Sequence, residues 1–112
     1  MKKITMNSFD NPEDQKLATL ALATQKRTGA PQSAALRDST GRTYVAISIA
    51  TPELTLDAIQ AVFTVAMASQ ISGIEALVLA GNSTGATSVI HTHSPSAAIF
   101  HIDESGAITA LR

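Results

Sequence analysis

Residues 54–71 read LTLDAIQAVFTVAMASQI, the longest apolar stretch in the chain. Wound as a helix, it presents apolar side chains on nearly every side, interrupted only by Thr55, Asp57, Gln60, Thr64, Ser69 and Gln70. Such a helix in a water-soluble protein has to be covered all round. We therefore expect one face against a sheet and the other against more protein, a second subunit included. Asp57, Gln60 and Thr64 follow at spacings of three and four, which draws one narrow polar line near the helix start. That line is either a site or a subunit contact, and Gln60, Thr64 and Met67 are the candidate interface residues.

Outward from this helix, the chain is short. Its 112 residues are enough for one small domain with a single core. The domain is expected over 11–112, with 1–10 as a flexible N-terminus because no periodic pattern runs through it. Hydrophobic residues make up 45% and charged ones only 15%, a surplus of apolar surface that favours a homo-oligomer, dimer or tetramer. Aromatic content is 4%, which suits close helix-on-sheet packing more than an aromatic ligand cage. Net charge is -1 and the only basic pairs are Lys2-Lys3 and Lys26-Arg27, which argues against nucleic acid as a partner.

The absence of cysteine removes disulfides and thiolate metal sites together. The two N-terminal lysines are followed by no apolar run, so no signal peptide is expected. Asp57, Gln60 and Gln70 argue against a membrane span over 54–71. A cytoplasmic location is the default expectation.

Asn11-Pro12-Glu13-Asp14 is a helix start: Asn as N-cap, Pro at the first helical position, two acids at the positive end of the dipole. The helix is expected to run to Lys26 or Arg27, with Leu17, Leu20, Ala21 and Thr24 inward and Gly29 as its stop. Gln32–Arg37 and Arg42–Ala50, joined by the turn residues Asp38-Ser39-Thr40-Gly41, read as a β-hairpin. Thr51 or Thr55 is the candidate cap of the central helix and Ser72-Gly73 its end. Ile74–Ala80, apolar but for Glu75, reads as a strand in the middle of a sheet. The loop-like 81–96 carries at most a helical turn around Ala86–Thr92. Strands at Ala97–Asp103 and Ala107–Leu111 close the chain. The order predicts an α/β domain with a mixed sheet of about five strands.

In that order the residues resemble the cytidine deaminase family over most of the chain from Glu13 onward. SAALRD stands where the family has a small-residue strand ending in an acid, and DSTGRTYVA is similar to its DGKxYxG-type hairpin. TLDAIQAVF is similar to the TxCAE helix, and GIEALVL to the strand after it. The resemblance implies the three-layer α/β/α cytidine deaminase-like fold. It also implies a zinc ion held by a His or Cys and two further cysteines, with a Glu shuttling protons.

The chain departs from that pattern where the chemistry lies. Asp57 stands at the first ligand and Ile59 at the catalytic Glu, and isoleucine transfers no proton. The second ligand motif falls either at Ser94–Ile99, with Ser96 and Ile99 for the cysteines, or in a helix shortened or lost within 83–96. In the second placement, which we prefer, AAIFHIDESGAITAL is the closing hairpin. The Asn-x-Glu that grips the ribose falls near Ala46 and Ser48, which cannot make those bonds. The reading is a scaffold without the deaminase site and without its zinc: a catalytically inactive binding or assembly module, its partner a protein or a small molecule in the vestigial pocket.

The competing reading is a metal-dependent deaminase or hydrolase in which Asp57, His91 and His93 form a two-His, one-carboxylate zinc site. Two histidines in a Ser/Thr-rich loop are more simply read as solvent-exposed, and a carboxylate at a helix start as a partner of the dipole. His101 reads as a half-exposed strand residue. Gly81-Asn82-Ser83-Thr84-Gly85 offers backbone amides to an anion but lacks the P-loop lysine and spacing. Ser94 or Ser96 with His93 and Asp57 has the atoms of a nucleophilic triad without its elbow spacing.

Overall fold

The computed structural model describes residues 5–111. Its elements are β1 (Thr5–Met6), α1 (Pro12–Thr28), β2 (Gln32–Asp38), β3 (Thr43–Ile47), β4 (Ile49–Ala50), β5 (Thr55–Leu56), α2 (Ala58–Ala68), β6 (Ile74–Gly81), α3 (Thr87–His93), β7 (Ala98–Ile102) and β8 (Ile108–Ala110). Six strands form one mixed sheet in the order β1-β8-β7-β6-β2-β3, and β4 pairs with β5 in a separate small ribbon. Only β6 and β7 run parallel.

Alternation along the two central strands sorts the core into two layers. Ala35, Ala76, Val78 and Ala80 face Leu17, Ala18 and Ala21 of α1. Small side chains there let the helix lie close to the sheet. Ala34, Leu36, Leu77 and Leu79 face the other way, onto Ile59, Val62 and Ala66 of α2 and Ile90 of α3. The molecule is thus the expected three-layer α/β/α domain, with six strands in the main sheet instead of about five.

The expected caps of α1 are in place. Asn11 Oδ1 accepts from the Glu13 amide at 2.9 Å, and Gly29 ends the helix at φ +70°. Asp14 in the first turn is buried, and its carboxylate lies 2.9 Å from the guanidinium of Arg37 on β2, which also meets Glu75 at 2.9 Å. Burial works against the Arg37 charge. Hydrogen bonds to Glu75 and Asp14, with their negative charges, outweigh it and hold the guanidinium pKa above its ordinary value.

Three expectations need correction. The central helix begins at Ala58, because Thr55 and Leu56 pair with Ala50 and Ile49 as strand. Its cap is therefore Asp57, neither Thr51 nor Thr55. The expected strand over Arg42–Ala50 is broken at Ser48, where the chain leaves the main sheet for the small ribbon. The flexible N-terminus expected over 1–10 differs within its described part: Thr5–Met6 pairs with β8, and the Phe9 ring stands edge-on to Phe100 at 5.1 Å. Residues 1–4 of that segment lie outside the described residues.

No helix among the described residues is long and apolar enough to cross a membrane.

Candidate functional site

The starts of α2 and α3 meet beside the small β4–β5 ribbon, and Asp57 is the residue that joins them. It caps α2 by accepting from the Gln60 amide at 2.8 Å through Oδ1, while the Gln60 side chain accepts from the Asp57 amide at 3.0 Å. This is a reciprocal capping box. The other carboxylate oxygen, Oδ2, accepts from the Ala86 amide at 3.0 Å, immediately before α3. Both oxygens of Asp57 are thus committed to backbone amides.

Ile59, at the position of the deaminase acid in the resemblance, is wholly buried in the layer beneath α2. Gly85 lies directly on it: a Cβ at Gly85 would stand 2.8 Å from Ile59 Cδ1. The apolar side chain and the close approach of the loop fill this place.

Gln32 completes the frame. It is 5% exposed, and its Oε1 accepts from the Ala58 amide at 3.1 Å. Its Nε2 donates to the Asn82 carbonyl at 2.8 Å and to the Thr84 carbonyl. One side chain on β2 therefore fixes both the start of α2 and the loop after β6. The sequence reading missed this residue, because its partners are 26, 50 and 52 positions away and no local pattern announces them.

Around this frame opens a shallow cavity of about 490 Å³ lined by Gln32, Ser48, Ile49, Thr55, Asp57 and Asn82, among others. Of the two positions that the resemblance assigns to a ribose grip, Ser48 lines the cavity. Ala46 instead packs half-buried against the core beneath α2. Two amides of the loop 81–85 are already engaged, and a third bond closes just beyond it. The Asn82 amide donates to Pro31 O, the Thr84 amide to Asn82 Oδ1, and the Thr87 amide back to Gly85 O.

The three candidate ligands of the metal reading are not brought together. Among the described residues no three His, Asp or Glu side chains are placed to hold a metal ion. His93 lies on a second cavity of about 420 Å³ with Phe63 and Val89, its ring edge-on to Phe63 at 5.8 Å. Its Nδ1 is 2.8 Å from Ser94 Oγ, which accepts from the Ile74 amide. His91 is half-buried with Nε2 unpartnered. The side chains at the two helix starts do not fit a zinc ion: one carboxylate with both oxygens already accepting, and no thiolate.

The remaining sequence candidates fall as follows. His101 is half-buried on β7, with Nε2 2.6 Å from the Gly81 carbonyl. Ser96 lies in the turn before β7 and Ile99 within that strand, so the placement of the cysteine motif at Ser94–Ile99 fails. The helix α3 and the β7–β8 hairpin agree with the other placement. Gln60 belongs to the cap, exposed Thr64 donates to its carbonyl at 2.8 Å, and Met67 packs partly against the core.

A three-layer domain whose second and third helices begin side by side over a cavity defines the deaminase scaffold as a class. The cytidine deaminase-like family model matches residues 10–106, and the chain belongs to that family. No curated protein matches the chain.

Proposed function

We propose that this chain is a catalytically inactive member of the family, acting as a homo-oligomeric binding or assembly module. The observation that carries the reading is the state of Asp57 and Ile59. The carboxylate is spent on the Gln60 and Ala86 amides, and the neighbouring side chain is sealed in the core under Gly85. A proton shuttle needs an ionisable group that reaches the substrate. In this reading the two positions serve folding, no zinc is bound, and the cavity over Gln32 and Ser48 is left to a small molecule or to a segment of a protein partner.

The test is a deamination assay on cytidine, deoxycytidine and cytosine with added zinc, followed by the fall in ultraviolet absorbance. The expected result is no turnover above the uncatalysed rate. Turnover that a chelator abolishes and zinc restores would overturn the proposal.

A further inference from the structure

The β2–β3 pairing leaves one edge of the main sheet open, and its chemistry is specific. Ser48 N donates to Gln32 O at 3.2 Å and Asp38 N to Arg42 O at 2.9 Å. Antiparallel partners alternate between hydrogen-bonded and non-bonded pairs. With Leu36 opposite Tyr44 and Ala34 opposite Ala46, the even-numbered residues of β3 are those that bond to β2. The N–H and C=O groups of Thr43, Val45 and Ile47 therefore point away from the sheet, and no described residue pairs with them.

Exposed edges are normally blunted by charge, proline, a bulge or extreme shortness. The opposite edge, β1, spans two residues among those described. From Thr43 to Thr51 the chain reads TYVAISIAT, without charge or proline, and the β2–β3 register runs unbroken through Thr43–Ile47. Both faces of β3 are partly covered, Tyr44 and Ala46 by the α2 layer and Val45 by the α1 layer. What remains open is a row of backbone donors and acceptors.

We propose that this edge pairs with the β3 edge of a second copy of the chain, antiparallel about a twofold axis. Two identical strands satisfy one another only in the antiparallel sense under twofold symmetry, since each group then meets its complement. The register follows from the alternation. Val45 stands opposite the partner's Val45, and Thr43 opposite the partner's Ile47, so every outward N–H and C=O lies in a hydrogen-bonded pair. The sheet continues through the seam, and the α1 and α2 layers of the two copies abut on its two faces. This deepens the oligomer reading above and rests on it.

Backbone amide exchange on the unmodified protein, at concentrations spanning the self-association measured by sedimentation, tests the seam. The Val45 and Ile47 amides are expected to be protected in the concentrated sample and to exchange freely on dilution. The Tyr44, Ala46 and Ser48 amides, bonded to β2, stay protected in both. Val45→Pro removes an outward donor without touching the β2 ladder, and should weaken self-association about tenfold or more while circular dichroism stays that of the native fold. If that variant does not fold, the exchange experiment still decides. A dimer whose Val45 and Ile47 amides exchange freely would overturn the edge assignment and leave the oligomer reading standing. A chain that is monomeric at every concentration would overturn both.

Discussion

Asp57 Oδ2 accepts the Ala86 amide at 3.0 Å, so a carboxylate at the start of α2 holds the start of α3. The contact joins the two helix ends whose convergence makes the cavity. It also explains why this acid is present where the resemblance would put a ligand: the geometry uses it as a cap and a strap.

Replacing Asp57 tests that role. Asp57→Ala removes the cap acceptor and the strap together, and should cost about 2 kcal/mol. Asp57→Asn keeps one carbonyl acceptor and should cost roughly half as much. Urea denaturation of both variants measures the difference. Equal stability of Asp57→Ala and the parent would refute the structural role.

The acid position gives a second prediction. Ile59→Glu places a carboxylate in a fully buried apolar layer, which should destabilise the fold by about 3–5 kcal/mol or hold the acid protonated. No deaminase activity should appear with it. A stable, zinc-dependent deaminase made by this one substitution would mean that the rest of the site is intact.

Two glycines with positive φ separate strain from collision. At Gly81, φ is +92° and a Cβ would stand 2.2 Å from the Pro31 carbonyl oxygen; at Gly29, φ is +70° with nothing within 4 Å. Gly81→Ala should cost more than about 3 kcal/mol, and Gly29→Ala only about 1 kcal/mol. Thermal unfolding of the two variants side by side checks the ranking.

The two tight hairpins share one design, and it predicts the acid limb of stability. Asp38 Oδ1 accepts from the Thr40 amide and hydroxyl and the Arg42 amide; Asp103 Oδ1 accepts from the Ser105 amide and hydroxyl and the Ala107 amide. Burial would raise the Asp38 carboxyl, but the Thr40 hydroxyl, the Arg42 and Thr40 amides and the Arg42 charge hold it below the ordinary carboxylate range. The Ser105 hydroxyl and then the Ala107 amide hold Asp103 low in the same way. Groups with a lowered folded pKa contribute stability above their unfolded pKa of about 3.9 and lose it as pH falls through the folded value. Unfolding free energy should therefore drop below about pH 4. Asp38→Asn should flatten that slope, and an unchanged slope would contradict the assignment.

Much of the fold was legible because its signals are local. Asn11-Pro12 and Gly29 mark the ends of α1, and the apolar run Ile74–Ala80 marks the central strand. The start of α2 misled because Thr55 and Leu56 continue the apolar pattern into a ribbon that only pairing with Ile49 and Ala50 reveals. The Asp57-x-x-Gln60 capping box was readable at that point, and it marks the true boundary. Gln32 was not readable, since nothing in QSAALRD foretells bonds to Ala58, Asn82 and Thr84. Ile59, Ala46 and the lack of cysteine were legible for a simpler reason, being facts of composition and position; their standing at deaminase site positions is what the resemblance implies.

The most direct measurement is native mass spectrometry on protein purified without a histidine tag and supplied with zinc, reading subunit number and metal content together. The account predicts an oligomer with no metal retained. One zinc ion held per chain would contradict it.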